Sequence, residues 1–394
     1  MKDYTSHIDP APFRDDPDLL RRLMERRVSR RDLLKAAGAG AGVFALSPLL
    51  AACGSSSSSS GGGASPASGS STPIRFVFAP DPVWNWLETK GIVTEMEKAS
   101  GFHIERNESN DEFAFFAGGH ADVVSMGSYE VPILEKETGV KTVTFAKYNM
   151  SKDELAVDPA KGYNTFQDLP KPGKVSLDSP TNSAYAWMAL AASQGRTLSS
   201  KAGDLQLIIA DFAVSPELII KGQIDAGGTA YVNAVKYLMD KKIKVMYDGM
   251  SISQIFEKFF APGHKGWMSN NFVTTQKYYQ GHPKEVAFFT SVWERGIKEF
   301  WAHMPDIIHA YPADFGWQTE QEYQWVLDHL TNGWNEFVDT VYMDEKWIQA
   351  EDKVFALLQQ YGQVPKDQAR PFYVALDPAT GKETYSFPAG ASGS

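Results

Sequence analysis

Cysteine is almost absent from this sequence. Cys53 is the single one among 394 residues, which excludes an intrachain disulfide and any metal or iron–sulfur site built from several cysteines. The weakly apolar run from Ala36 to Ala51 is too short and too rich in alanine and glycine to span a bilayer stably. The sequence also lacks a nucleophile elbow, a phosphate-binding loop and a zinc-spaced histidine pair, so it predicts no catalytic residue, no metal and no cofactor.

Basic residues are scarce as well. The chain has 38 Lys and Arg and 48 Asp and Glu. Nine of the basic and seven of the acidic residues precede Cys53, so the part from Cys53 onward has 29 basic and 41 acidic residues and a formal charge of −12. Nucleic acid phosphates and anionic lipid heads repel such a chain, so neither is a predicted partner. The 43% hydrophobic and 12% aromatic content is typical of a globular body.

The N-terminal segment has the features of an export signal. In Ser29-Arg30-Arg31-Asp32-Leu33-Leu34-Lys35 the two arginines fit the twin-arginine export pattern, and the weakly apolar run follows directly. The run leads into Leu50-Ala51-Ala52-Cys53, which resembles a lipoprotein box, where signal peptidase cuts before the cysteine and the thiol carries lipid. Residues 1–52 are therefore predicted to be a signal peptide; an amphipathic helix from Leu19 with an incidental cysteine is the alternative.

A low-complexity stretch follows the lipidation site. Residues 53–73 are almost entirely Ser, Gly, Ala and Pro, which cannot bury apolar surface, so this stretch is predicted to be a flexible tether. Two acyl chains on Cys53 would hold the folded body on a membrane after export. The predicted location is the cell envelope, at the outer face of the cytoplasmic membrane or in the periplasm.

The body alternates short apolar runs with helical stretches. The run from Ile74 to Ala79 is followed by prolines and resembles a strand buried on both faces. From Gln276 the strands are predicted to stop, and an apolar stripe at three- and four-residue spacing predicts a helix from Pro283 to His303. The alternation predicts an α/β fold with mostly parallel sheets. Further predicted strands lie at 103–107, 122–126, 141–148, 174–177, 205–209 and 244–248.

Five short motifs resemble, in their order, those of one family. They are Gly118-Gly119-His120-Ala121-Asp122-Val123, Ser128-Tyr129-Glu130-Val131-Pro132, Thr165-Phe166-Gln167-Asp168-Leu169, Ile220-Lys221-Gly222-Gln223-Ile224-Asp225-Ala226 and Phe272-Val273-Thr274-Thr275. The family is the nitrate, sulfonate, taurine and thiamine-precursor group of ABC-transporter substrate-binding proteins. The resemblance runs from about Ile74 to about Pro365.

The resemblance implies the type 2 periplasmic binding protein fold. Two α/β lobes, each a mainly parallel sheet flanked by helices, would be joined by two crossover segments near 148–157 and 262–274. Lobe 1 would comprise residues 74–150 and 266–394, the second part being helical and including the C-terminal tail, and lobe 2 would comprise residues 151–265. The implied function is delivery of a small-molecule solute to the permease of an ABC importer, and the protein is expected to be a monomer.

Four loops follow predicted strands at the carboxyl ends, where ligands bind in open α/β sheets. Tryptophans there can stack on a planar solute, and hydroxyls at a helix start can hold an anionic group. Each loop also has a purely structural interpretation. Trp86 in the first loop could belong to the core. Ser128 in the second loop and the hydroxyls of the third, 178–185, could cap the helices that follow, and the glycines of the fourth, 227–231, could form a simple turn. The candidate ligand-binding residues are Asp81, Trp84 and Trp86; Ser128 and Tyr129; Ser179, Thr181, Asn182, Ser183 and Tyr185; and Thr229 and Tyr231.

These four loops contain neither Lys nor Arg. A desolvated inorganic anion is expected to meet a fixed cation, so nitrate and simple sulfonates are disfavoured as solutes. A planar or heterocyclic organic solute, such as a pyrimidine precursor, fits stacking and neutral hydrogen bonds better. The predicted solute is therefore a small organic molecule that is planar and heterocyclic or, as the alternative, sulfonate-like.

Two other classes of function are open. Some proteins with this fold are enzymes that build the thiamine pyrimidine, and their sequences resemble a pattern that includes a cysteine-rich iron motif. The single cysteine of this chain lies at the predicted lipidation site, so the chain lacks such a motif. A tethered adhesion or sensing module could present the aromatic residues between Trp301 and Trp334, although aromatic helix faces are more often core. A solute-binding protein without enzymatic activity is the favoured interpretation.

Overall fold

The computed structural model describes residues 72–109, 112–178, 184–200 and 203–388. The predicted signal peptide with Arg30 and Arg31, and the predicted lipidation residue Cys53, lie outside these ranges. Four candidates of the third loop also lie outside them, namely Ser179, Thr181, Asn182 and Ser183. Within the ranges, no helix is long and apolar enough to cross a membrane.

Within the described residues the first sheet has seven strands: β1 (Ile74–Phe78), β2 (Ile104–Glu108), β3 (Val123–Met126), β4 (Thr142–Met150), β11 (Met268–Thr275), β12 (Tyr373–Leu376) and β13 (Glu383–Phe387). Their spatial order is β13-β12-β4-β11-β3-β1-β2. Strands β1 to β3 are parallel, and β3 is buried along its whole length, as in a sheet covered by helices on both faces.

The second sheet has six strands in the described part of the chain, in the order β10-β5-β9-β6-β8-β7. Its central strands β9, β6 and β8 are parallel. The strands are β5 (Asp153–Val157), β6 (Gly173–Leu177), β7 (Leu198–Ser199), β8 (Leu205–Ile209), β9 (Ala226–Ala230) and β10 (Lys244–Val245).

Helices flank both sheets, and several begin at side-chain caps. Asp81 caps the first helix and Pro82 occupies its first turn, while Thr319 and Glu322 form a capping box farther along. The helices are α1 (Pro82–Thr89), α2 (Ile92–Ser100), α3 (Glu112–Ala117), α4 (Val131–Thr138), α5 (Ala184–Ser193), α6 (Ser215–Ile220), α7 (Tyr231–Met239), α8 (Met246–Gly249), α9 (Ile252–Phe259), α10 (Gln276–Gly281), α11 (Pro283–Ala310), α12 (Pro312–Phe315), α13 (Glu320–Asn332) and α14 (Glu345–Gln360).

The chain passes between the two sheets twice. It leaves the first sheet at the end of β4 and enters β5, and it returns after α9 to begin β11. Asp153, at the start of β5, pairs with Ala230 at the end of β9, and Met268, at the start of β11, pairs with Met150 at the end of β4. The carboxyl edges of the two sheets therefore meet where the chain crosses between them.

This connection makes both sheets mixed rather than mainly parallel. A strand that enters a sheet at its carboxyl edge must run against its neighbours, and β5 and β11 do so. The two crossover segments are also bonded to each other, because the backbone N–H of Ser151 donates to the carbonyl of Trp267 at 2.7 Å. The two-lobed α/β architecture with two crossovers is confirmed.

Two predictions for the C-terminal part need correction. Strands do not stop at Gln276, because β12 pairs with β4 and with β13 to complete one edge of the first sheet. These strands are only four and five residues long, and no residue of β13 is fully buried, so they leave little periodic signal. The long helix α11 continues beyond His303, where the backbone kinks two residues before Pro305, to Ala310.

Each sheet is stabilised by one large hydrophobic core, and three smaller buried clusters add to them in the described residues. The core of the first sheet is dense in aromatic residues: the ring centroid of Trp293 lies 4.6 Å from that of Tyr148 and 4.8 Å from that of Phe272. The second core includes Val354 and Phe355 of α14. Helix α14 lies in the range expected for lobe 1, yet it contributes apolar side chains to the core of the second sheet.

Candidate ligand-binding site

A cavity of about 170 Å³ lies where β1 and β4 end and β11 begins. Since β11 runs against both β3 and β4, these three strand ends share one edge of the first sheet, next to the first crossover. A cavity of about 150 Å³ in another protein holds a benzene molecule. The wall is formed by Phe78, Ala79, Pro80, Asp81, Pro82, Asn149, Met150, Lys152, Ser269, Asn270, Asp314, Phe315, Glu336 and Phe337.

Asp81 is the candidate from the sequence that lines this cavity directly. One of its carboxylate oxygens accepts a hydrogen bond from the backbone N–H of Trp84 at 2.8 Å, and the other accepts one from the hydroxyl of Tyr148 at 2.7 Å. Burial raises the pKa of Asp81 to about 6, although both hydrogen bonds act to lower it. The carboxylate is therefore mainly ionised at neutral pH and held in one orientation.

A charged pair from two distant segments forms another part of the wall. Lys152 Nζ, on the first crossover, lies 3.6 Å from Glu336 Oε1, and the hydroxyl of Tyr231 donates to the same oxygen at 2.9 Å. Glu336 is 1% exposed, and its Oε2 has no hydrogen-bond partner among the described residues. Tyr231, a candidate from the second lobe, thus contacts the cavity wall through Glu336.

The remaining polar groups of the wall are amides and one further carboxylate. The Oδ1 atom of Asn149 is buried and has no hydrogen-bond partner in the described ranges, whereas Asn270 donates to Ser125 at 2.6 Å. Burial raises the pKa of Asp314 on α12 above its ordinary value. The described residues contain no cluster of three His, Cys, Asp or Glu side chains that could hold a metal ion.

The two tryptophans of the first loop belong to the core. Trp84 is 1% exposed and its ring centroid lies 5.3 Å from that of Trp293, while its indole N–H donates to Glu88 at 2.6 Å. Trp86 is also buried, with Lys90 Nζ 4.2 Å from the centroid of its ring. Neither tryptophan lines the cavity. Both are core residues, as the alternative interpretation of Trp86 proposed.

Ser128 lies in a buried polar cluster and is not among the residues that line the cavity. Its hydroxyl donates to Oε2 of Glu351 on α14 and accepts from the amide of Asn271 at 3.0 Å. His264 Nε2, on the second crossover, lies 3.4 Å from the other oxygen of Glu351. The cluster therefore connects the loop after β3, the second crossover and α14. Because the N-cap of α4 is Glu130, Ser128 does not cap that helix.

The other candidates in the described residues lie in the second sheet or pack against its core. Tyr129 is 2% exposed and stacks on Trp267 with ring centroids 6.0 Å apart. Tyr185 is half-buried against the second core, and burial raises its pKa. Thr229 is fully buried in β9, where its hydroxyl donates to the carbonyl of Phe212 at 3.2 Å. None of the three lines the cavity.

Three charged residues of the cavity wall were not predicted from the sequence. Lys152 lies two residues after the end of β4, so the rule that strand exits form sites could have found it. The four candidate loops contain no Lys or Arg, and no fixed cation was therefore expected at the site. Lys152 lies outside those loops but lines the cavity, so that expectation was wrong. Asp314 and Glu336 come from the helical C-terminal part, where no local pattern distinguishes them from surface acids.

Comparisons with known proteins find no match to this sequence among protein-family models or among curated proteins. Solved structures do match it. The alkanesulfonate-binding protein of Xanthomonas axonopodis pv. citri, solved with bound MOPS, has a TM-score of 0.56 and 12% identity over 76% of this chain and 96% of that one.

Two further structures are similar to the same extent. The periplasmic aliphatic sulphonate-binding protein of Escherichia coli has a TM-score of 0.56 and 14% identity over 75% of this chain and 89% of that one. A Candida albicans gene product described as having the generic periplasmic binding protein fold has a TM-score of 0.53 and 14% identity over 75% and 91%. At such identities the likeness concerns the fold. The chain therefore has the two-lobed α/β fold of the periplasmic binding proteins.

Proposed function

We propose that this chain is an extracytoplasmic solute-binding protein that delivers a small organic solute to an ABC importer. The observation that carries the proposal is the cavity at the carboxyl edge of the first sheet, beside the first crossover. Ligands of open α/β sheets bind at this edge, and a two-lobed protein can close over them by bending at its crossovers.

Contacts between the lobes support this interpretation. The hydroxyl of Tyr231 in the second lobe bonds to Glu336, which also lines the cavity. A solute that contacts Glu336 would therefore be sensed by both lobes. The crossover residue Lys152 lies in the same wall, so the position of a bound solute and the angle between the lobes are expected to be coupled.

Attachment to the membrane forms part of the proposal. The twin-arginine pattern with Arg30 and Arg31, the lipoprotein box at Cys53 and the tether to residue 73 occur in the order that an exported, lipid-anchored binding protein requires. A lipid anchor would keep the folded body near its permease, where delivery takes place.

The test is ligand binding without turnover. The purified full chain is incubated with a panel of nitrogen heterocycles, amines and sulfonates, and its melting temperature is recorded beside the concentration of each compound. Binding in the cavity is expected to raise the melting temperature as the concentration of the compound increases and to leave the compound intact. A compound that is consumed would instead establish an enzyme, and a panel that gives no shift would contradict the proposal.

A matched pair of variants locates the binding site. Asn149→Leu replaces a wall amide by an apolar side chain of similar size, so it should abolish or weaken the shift. Asn332→Leu makes the same replacement at the exposed end of α13 and should leave the shift unchanged. Equal shifts in both variants would place the solute outside this cavity.

A further inference from the structure

The cavity wall carries more acidic than basic groups. Asp81, Asp314 and Glu336 line it, and Lys152 is the single basic residue among the described residues of the wall. Lys152 Nζ is 3.6 Å from Glu336, so these two charges largely compensate each other. Arg106 acts electrostatically on Asp81 but lies outside the wall and is paired with Glu108 at 3.0 Å. The wall as a whole therefore favours a cationic solute over an anionic one.

Two wall residues carry enclosed acceptor atoms that have no hydrogen-bond partner in the described part of the chain. One is Oε2 of Glu336, a residue that is 1% exposed and whose other oxygen is bonded to Tyr231. The other is the buried Oδ1 atom of Asn149. An unsatisfied buried acceptor costs about 1–3 kcal/mol, more when it is charged. A solute whose N–H groups reached these two oxygens would remove that cost, whereas a sulfonate or carboxylate would bring further acceptors.

The rest of the wall is apolar and partly aromatic. Met150, Phe315 and Phe337 are buried side chains that line the cavity, and aromatic faces attract alkylammonium groups as well as hydrocarbon. By comparison with cavities that hold benzene, about 170 Å³ accommodates a solute of about six non-hydrogen atoms. These dimensions fit one charged nitrogen on a short chain or a small ring.

We infer that this cavity takes a small organic cation with N–H donors, that is, a primary or secondary ammonium ion. The inference rests on the proposed solute-binding function and adds the chemical class of the solute. The nitrogen donates to Glu336 and Asn149 and places its charge among the three wall carboxylates, while its hydrocarbon part packs on Phe315 and Phe337.

The experiment compares probes of similar size that differ in charge. Butylammonium, piperidinium, 1-butanesulfonate and 1-butanol are titrated separately into the purified full chain by calorimetry. The two ammonium ions are expected to bind with 1:1 stoichiometry, and the sulfonate and the alcohol are expected not to bind. Binding of the sulfonate or the alcohol in preference to the ammonium ions overturns the inference and leaves the proposed function standing.

Variants tie the affinity to the wall. Glu336→Gln removes a buried charge but keeps an acceptor for Tyr231, so the dissociation constant for butylammonium should rise about 10- to 100-fold. Asp314→Asn, at a half-buried site, should weaken binding several-fold and serves if the first variant folds poorly. Glu322→Gln, in the capping box of α13, is the control and should bind as the parent does.

The outcomes separate the two proposals. Unchanged affinity in both wall variants overturns the assignment of the ammonium ion to this cavity. If the ammonium ions fail to bind while a neutral heterocycle or a sulfonate from the wider panel binds, the solute class is wrong and the solute-binding function stands. If no compound of either panel binds, both proposals fail.

Discussion

Tyr231 and Glu336 connect the two lobes through a single buried hydrogen bond. The phenolic hydroxyl at the start of α7 donates to the carboxylate at 2.9 Å, and both side chains are 1% exposed. Burial and the neighbouring carboxylate raise the pKa of Tyr231 well above its ordinary value, so the phenol stays protonated as a donor. The contact joins a candidate predicted from the sequence to a cavity residue that the sequence did not indicate.

Removing this hydroxyl should destabilise the protein. In Tyr231→Phe the buried carboxylate of Glu336 loses its hydroxyl donor, so the free energy of unfolding should fall by about 1–3 kcal/mol. The measurement is urea unfolding followed by tryptophan fluorescence. The control is Tyr237→Phe, which removes an exposed hydroxyl bond to Glu217 and should change stability little. Equal losses in the two variants would show that the Tyr231 contact has no special role.

The fold was accessible from the sequence because its signals are local. The buried strand β1 is an apolar run in the sequence, so it could be predicted. Asp81 follows this strand closely and caps the next helix, so the end of the strand and its polar side chain could both be identified from the sequence. The crossovers came from a resemblance of ordered motifs. The antiparallel direction of β5 and β11 was not visible, since it depends on which edge of each sheet the chain leaves.

The site could be predicted only in part, because whether a side chain is buried depends on contacts with residues far away in the sequence. Trp84 and Trp86 follow a strand exit and would suit a ligand site equally well, but Trp293, from a helix about 200 residues later in the chain, packs against Trp84 and makes it core. Glu336 gives no local signal, because its burial arises only when the segment after α13 packs beside β4. Residues whose role depends on such contacts cannot be found from spacing.

Stability should depend on pH through Glu154. This side chain in β5 is 5% exposed, its Oε2 has no hydrogen-bond partner among the described residues, and burial, reinforced by Asp153 and Glu336, raises its pKa to about 8. Between an ordinary pKa of about 4.5 and the raised value, the folded state holds a proton that the unfolded state has lost. The contribution to stability is therefore complete below that window and is lost as the pH rises through it.

The measurement is the free energy of unfolding at several pH values from 5 to about 8. The parent should lose stability across this range, and Glu154→Gln, which cannot ionise, should lose clearly less. Asp81 and Glu130 also have raised pKa values, so part of the slope should persist in the variant. Glu217→Gln alters an exposed carboxylate whose pKa is lowered, and it should keep the slope of the parent. A slope that is unchanged in Glu154→Gln would contradict the assignment.

Replacement of the cysteine should release the protein from the membrane. In Cys53→Ala the predicted acceptor of the lipid is gone, so exported chain should appear in the soluble envelope fraction and should not incorporate labelled palmitate. Ser55→Ala, two residues away in the tether, should remain in the membrane fraction and carry the label. Changing Arg30 and Arg31 to Lys should instead cause the precursor to accumulate before export. Membrane-bound, labelled Cys53→Ala would rule out this lipidation site.

Two glycines with the same backbone conformation allow the close approach of the lobes to be tested. Gly316, after α12, and Gly162 both have φ of +71°. A Cβ atom at Gly316 would lie 1.7 Å from the carbonyl oxygen of Val232 on α7 in the second lobe, whereas one at Gly162 would meet nothing within 4 Å. Alanine costs about 1–2 kcal/mol at either position because left-handed backbone is unfavourable for it. Only Gly316→Ala should also force the two segments apart.

The difference between these variants therefore isolates the contact between the lobes. Gly162→Ala should lower the melting temperature slightly, and Gly316→Ala should lower it much further and weaken binding of any solute that contacts Glu336, since displacing α7 moves Tyr231 away from that carboxylate. Thermal unfolding and calorimetry on the same preparations provide both readings. Equal melting temperatures in the two variants would mean that α7 and the α12 turn do not approach each other closely in solution.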